Sequence, residues 1–150
     1  MLAGQCQISV TGLARLDKPG MSGLVKVMSK NIVVWMDIPV TDLNRAKAFY
    51  SKVLNAEIAV QQMEEFEFAV LPHAGDGVSG CLTPSKDNKP SRNGPLVYLS
   101  VDGRLDEAVR IAGDSGGEVL EPSHPIGPYG FRAIIIDSEG NRIALHSEKA

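Results

Sequence analysis

The sequence predicts an α+β protein made of two βαβββ modules, and three observations carry that expectation. The order of elements restarts halfway along the chain, each half contains one helix with a single apolar face, and the strands alternate between an aliphatic face and a mixed one. The first half begins at Asn31. Asn31 to Val40 is rich in Ile and Val and reads as a strand. Thr41 and Asp42 then offer an N-cap before Leu43, Ala46, Phe49, Tyr50, Val53 and Leu54, which share one helix face. Three extended stretches follow, Ala56 to Gln61, Glu65 to Leu71 and Val78 to Thr83, parted by turn-forming residues. Pro84 to Pro95 is polar, with Pro, Asn and Gly, and reads as a linker.

The order then repeats: strand Leu96 to Val101, a cap at Asp102 or Gly103, and a helix with Leu105, Ala108, Val109 and Ala112 inward. A Gly116-Gly117 stop leads to strand Glu118 to Glu121, a loop, strand Phe131 to Ile136, a turn at Ser138 to Gly140, and strand Arg142 to Ser147. This gives one two-module domain over 31–150, with module 1 at 31–83, the linker at 84–95 and module 2 at 96–147. Residues 1–30 lack a sustained period and are broken by glycines and Pro19, so they read as a peripheral extension. A short strand from Ile8 to Leu13 is the alternative.

Composition bounds the function. The chain has 150 residues, 43% hydrophobic and 22% charged, with a net charge of −3, which fits a folded globular domain rather than a disordered chain. No Lys/Arg cluster points to nucleic acid, and no apolar run approaches a membrane span. Cys6 and Cys81 make neither a disulfide framework nor a zinc spacing, which suits a reducing cytoplasm.

Strand parity places Val34, Met36 and Ile38 opposite Trp35 and Asp37. It places Val97, Leu99 and Val101 opposite Leu96, Tyr98 and Ser100, and Ile143 and Leu145 opposite Arg142, Ala144 and His146. The aliphatic face suits the helix. The mixed face, with Trp, Asp, Tyr, Arg and His, suits a semi-polar cleft that binds a small organic molecule. Trp35 either stacks on a planar ligand or fills space. Tyr98 offers a ring and a hydroxyl, and Arg142 either fixes an anion or pairs with Glu139 at the surface. His146 is a candidate general acid or base oriented by Asp37, or else a hydrogen-bonded surface residue.

Gly75 to Gly80 matches G-x-G-x-x-G, but Pro84 and Pro90 forbid the helix that a dinucleotide site needs directly afterwards. Gly80 reads instead as a strand glycine approached closely by a backbone or a ligand, and Cys81 as an inert thiol on the helix side. Ser123 to Gly130 is rich in Pro and Gly and reads as an irregular lid carrying His124 and Tyr129 over the cleft mouth.

The run WMDIPVTDLNRAKAFYSKVLNAEI, with its Phe-Tyr helix, and the segments LVYLSVDGRLDEAV, GEVLEP and FRAIIIDSEGNRIALHS, with an Asp-x-x-Gly-Asn turn, resemble the vicinal oxygen chelate superfamily of glyoxalase, bleomycin-resistance and dioxygenase proteins. The resemblance covers about 31–147. It implies two modules whose curved mixed sheet encloses a cleft, assembled as a homodimer. It also implies four metal-ligand positions, which fall here on Trp35, Gly80, Leu96 and Ala144, none able to ligate. The expectation is a cytoplasmic, glyoxalase-related binder of a small organic molecule, with no metal and no cofactor, and Trp35, Tyr98, Arg142, Gly80, Leu96, Ala144 and Tyr129 lining its site. The alternative is a lyase- or isomerase-type enzyme resembling lactoylglutathione lyase, moving a proton on a small carbonyl compound through His146 and Asp37, with a relocated metal as a variant. An effector-sensing module is a third reading.

Overall fold

A computed structural model describes residues 31–64 and 66–149, together with the backbone of two short strands, β1 (Leu13–Arg15) and β2 (Leu24–Lys26). The chain divides into two units, residues 1–33 and 34–150. In the first, β1 and β2 pair antiparallel. The alternative strand over Ile8 to Leu13 lies, but for Leu13, outside the described residues.

In the second unit, module 1 contains β3 (Trp35–Val40), α1 (Leu43–Leu54), β4 (Val60–Met63), β5 (Phe66–Val70) and β6 (Ser79–Pro84). Module 2 contains β7 (Val97–Ser100), α2 (Leu105–Asp114), β8 (Glu118–Pro125), β9 (Phe131–Ile136) and β10 (Arg142–Ser147). The mixed sheet comes as two four-stranded sheets, ordered β3-β6-β5-β4 and β7-β10-β9-β8. In each, the first strand of the module runs parallel to the fourth and the others pair antiparallel. The same order in both halves is the structural form of the repeat. The helix supplies the crossover that a parallel pair requires.

One core joins the modules. Ile38, Val40 and Leu82 from sheet 1, Leu99, Ile143 and Leu145 from sheet 2, and Phe49, Tyr50, Val53, Ala108 and Ala112 from the helices belong to one buried cluster. Polar contacts stitch the same junction. The Tyr50 hydroxyl donates to Asp137 Oδ2 at 2.6 Å, and Asn141 Nδ2 donates to the same carboxylate and to the Pro39 carbonyl, both at 2.9 Å. Burial, with the Asp137 carboxylate beside it, pushes the Tyr50 phenol well above its ordinary range, so it stays a donor.

The two helices begin differently. The Asp42 side chain caps α1 by accepting from Arg45 N–H at 2.9 Å. Glu139, from the β9–β10 turn, accepts from the N–H groups of Thr41 and Asp42 and from the Arg45 guanidinium at 2.7–3.0 Å. Burial alone would raise the Glu139 carboxyl, but these donors outweigh it and bring it from 4.5 to about 2. The helix α2 has Arg104 at its N-cap with no side-chain cap bond. Asp102, expected as its cap, instead accepts from the Ser147 hydroxyl and from Glu148 N–H.

Several strands differ from their expected bounds: β4 runs Val60–Met63 rather than Ala56 to Gln61, and β5 is trimmed to Phe66–Val70. The first strand starts at Trp35 rather than Asn31, and β8 continues through Pro125 rather than stopping at Glu121. β8 is the sheet's edge, where proline is tolerated, and two register shifts interrupt its pairing with β9. The expected lid, Ser123 to Gly130, is therefore strand through Pro125, followed by one 3-10 turn at Gly127–Tyr129.

Candidate functional site

The sheet faces turned away from the helices carry the reactive side chains. In module 2 the register aligns Tyr98 with Ala144, Ser100 with His146, His146 with Arg132, and Arg132 with His124, so these residues share one face. Arg132 is the hub. Its Nη1 donates to the Tyr98 hydroxyl at 2.7 Å, its Nε donates to His124 Nε2 at 3.2 Å, and its Nη2 lies 3.8 Å from Glu121 Oε2. A carbonyl oxygen can only accept, so the 2.9 Å contact of His124 Nδ1 with the Pro122 oxygen places the proton on Nδ1 and leaves the Nε2 lone pair for Arg132. By the same logic His146 Nε2, 2.7 Å from the Tyr129 oxygen, carries the proton and Nδ1 is an acceptor. The Tyr98 and His146 rings meet edge to face, with centroids 6.4 Å apart.

The corresponding face of module 1 is aromatic. Trp35 pairs with Ser79 and Asp37 with Cys81, while Val70 opposite Cys81 brings Phe68 and Phe66 onto the same side. Phe66 and Phe68 stack at 5.7 Å, and Trp35, Met63 and Phe66 are exposed. Asp37 Oδ1 accepts from Trp35 Nε1 at 3.0 Å and from the Cys81 thiol at 3.3 Å. Cys81 thus lies on the face opposite the one expected: its register partner is Asp37, not Met36. Burial first, and then Asp37, push its thiol up to about 11, so it is a hydrogen-bond donor rather than a nucleophile.

The expected site residues divide into groups. Trp35 and Asp37 are joined by a hydrogen bond. Tyr98 and His146 touch, with Ala144 fully buried on the same face and the Tyr129 carbonyl on His146. Gly80 lies opposite Met36 on the helix-side parity, where a Cβ would overlap the Met36 carbonyl oxygen and Cγ. Leu96 precedes β7 and is half-buried, and Arg142 stands at the start of β10. Among the described residues no hydrogen bond joins Asp37 to His146. Each group's bonds go elsewhere, so Asp37 does not orient His146.

Sequence reasoning missed Arg132, Glu121 and His124 as a unit, and Phe66 and Phe68 as a platform. Folding the predicted strands back about the Ser138 to Gly140 turn sets Arg132 opposite His146. The Phe-Glu-Phe alternation marks the aromatic pair.

The residues do not fit a divalent metal. Trp35, Leu96 and Ala144 offer no ligand atoms, and neither does Gly80 or Ser79, its neighbour opposite Trp35, as a charged or imidazole donor. Among the described residues no three His, Cys, Asp or Glu side chains cluster.

Two fused βαβββ modules of identical strand order, each presenting a functionalised sheet face, define a duplicated-module α+β protein. The family model of the Glyoxalase/Bleomycin resistance protein/Dioxygenase superfamily matches residues 32–145, and the chain belongs to that superfamily. Among solved structures, a glyoxalase-related enzyme from Fulvimarina pelagi superposes with a TM-score of 0.59 at 14% identity, covering 80% of this chain and 88% of that one. The fosfomycin resistance protein FosX from Listeria monocytogenes gives 0.60 at 21% identity, covering 79% and 91%. The trypanothione-dependent glyoxalase I of Leishmania major gives 0.59 at 17%, covering 79% and 88%. At these identities the likeness is one of fold. No protein of curated function matches the sequence. Among the described residues no helix is long and apolar enough to cross a membrane.

Proposed function

We propose that this protein binds a small organic anion on the outer face of module 2, without a metal or cofactor, as a cytoplasmic homodimer. The observation that carries the reading is Arg132, held in a fixed orientation by the Tyr98 hydroxyl, the His124 lone pair and, at longer range, Glu121. A guanidinium already held by several partners loses little side-chain entropy when its remaining N–H groups meet a carboxylate or phosphonate. Trp35 and the Phe66–Phe68 pair add apolar surface of the kind that a planar ligand or a second copy covers. Light scattering across a concentration series tests the homodimer; a monomer at all concentrations contradicts it. The binding test is calorimetric titration with pyruvate, phenylacetate and fosfomycin, the antibiotic for which the Listeria protein is named, in the presence of a chelator. At least one anion binds with chelator present, and R132Q weakens it by about tenfold or more. Binding that requires an added divalent ion overturns the reading.

A second reading, proton transfer on a small carbonyl compound, is favoured by the fixed tautomer of His146, whose Nδ1 is left as a proton acceptor. In D2O such a base exchanges the α-protons of hydroxyacetone. H146Q abolishes that exchange and D37N leaves it nearly intact, whereas exchange surviving in H146Q removes His146 as the base.

A further inference from the structure

The two sheets share no ladder, and β3 and β7 are each the edge of their own sheet. The seam between these edges holds a cavity of about 280 Å³. Its apolar wall comes from helix-side residues of both modules, Met36 and Ile38 on β3 with Val97 and Ile143 on β7 and β10. The linker closes one side through Ser91, Gly94 and Pro95. Gly94 puts no side chain into the space and Pro95 offers no N–H. The linker is anchored at that point, because Ser91 N–H donates to Asn141 Oδ1 at 3.2 Å and the Ser91 carbonyl accepts from Arg142 N–H at 3.3 Å.

The charged groups on this cavity are Asp37, Lys89 and Arg142. Asp37 is engaged by Trp35 and Cys81, and Lys89 Nζ donates to the Ser85 carbonyl. The half-buried Arg142 guanidinium makes no hydrogen bond or ion pair among the described residues, its main-chain N–H alone being used. Glu139, its expected partner, is taken up by Arg45, Thr41 and Asp42, and Asp137 by Tyr50 and Asn141. The lining therefore combines an apolar wall with two cationic residues against one committed carboxylate, and the Arg142 donor fork is unused among the described residues. Its volume lies just under the roughly 300–1,000 Å³ of ordinary small-ligand sites.

We propose that this inter-module cavity is a second ligand site that takes a small monocarboxylic acid with a short apolar body, the carboxylate on Arg142 and the body against Met36, Ile38, Val97 and Ile143. The apolar wall belongs to the opposite side of the sheets from the Arg132 face, while Arg142, first residue of β10, stands on the outer-face parity at the seam and shares no hydrogen-bond partner with Arg132. It forms only where linker and both modules meet, so its occupant would brace the two halves against each other.

The test is a nitrogen-15 NMR titration of the full chain with hexanoate, hexan-1-ol and hexylammonium. Hexanoate shifts the Ser91, Gly94 and Arg142 amides saturably, and the alcohol and the ammonium bind about tenfold more weakly or worse. R142Q weakens hexanoate by about tenfold, while R132Q changes it by less than about twofold, as expected for independent sites. The absence of saturable shifts at these amides, equal binding of hexylammonium, or undiminished binding in R142Q overturns the proposal. Loss of hexanoate binding in R132Q does so too, by assigning the ligand to the module 2 face.

Discussion

Modules 1 and 2 have the same strand order and contribute to one core, yet their outer sheet faces diverge. Module 1 presents Trp35, Phe66, Phe68 and Met63, and a carboxylate, Asp37, already engaged by two donors. Module 2 presents Arg132, His124, Glu121, Tyr98 and His146. The difference shows how a duplicated module separates its tasks. Helix-side positions are tied to shared packing and stay aliphatic, while opposite positions change without cost to the core. The first and fourth strands also pair by different means. Module 1 sets Gly80 against Met36, whereas module 2 sets Ile143 against Val97.

The largest expected effect breaks that last contrast. G80V forces a branched side chain into the Met36 backbone and costs about 3 kcal/mol or more, read as a lowered urea midpoint or loss of soluble protein. I143V, at the equivalent position of module 2, costs about 0.5–1.5 kcal/mol. Equal effects would mean that the two parallel pairs are built alike.

The next effect tests the tie between modules. Glu139 is ionised down to about pH 2 in the folded chain, so it stabilises fully above its ordinary value of 4.5, and that contribution is lost as pH falls from 4.5 toward 2. E139Q costs about 1–3 kcal/mol at pH 7 and flattens the loss of stability with acid over that window, measured by chemical denaturation at stepped pH. An unchanged acid slope would show that the carboxylate does not hold α1. A smaller effect separates the helix starts: D42A costs about 1 kcal/mol, and R104A, where no side-chain cap exists, about half that or less.

The core was legible in sequence because it is local and periodic. The Leu43–Leu54 helix, its Asp42 cap and the alternation of Ile143 and Leu145 follow from backbone geometry alone. What escaped was set by pairing between strands. Cys81 moved to the face of Asp37 because register, not spacing from Gly80, decides its neighbours. His124 was expected in an irregular lid because Pro125, Gly127, Pro128 and Gly130 suggest a loop, whereas the edge strand β8 runs on through Pro125. Arg132 lay within a correctly placed strand, but its role emerges only once Tyr98 and His124 arrive from other strands. The expected Asp37–His146 pairing failed for the same reason: shared parity does not bring two side chains on different sheets into contact.

The most direct test of the central claim, metal-free anion recognition by the module 2 face, is calorimetric titration of wild type and R132Q with pyruvate, phenylacetate and fosfomycin under a chelator. At least one anion binds the wild type with an affinity unchanged by the chelator, and R132Q loses about tenfold or more. Binding that appears only with an added divalent ion, or that persists undiminished in R132Q, contradicts the claim.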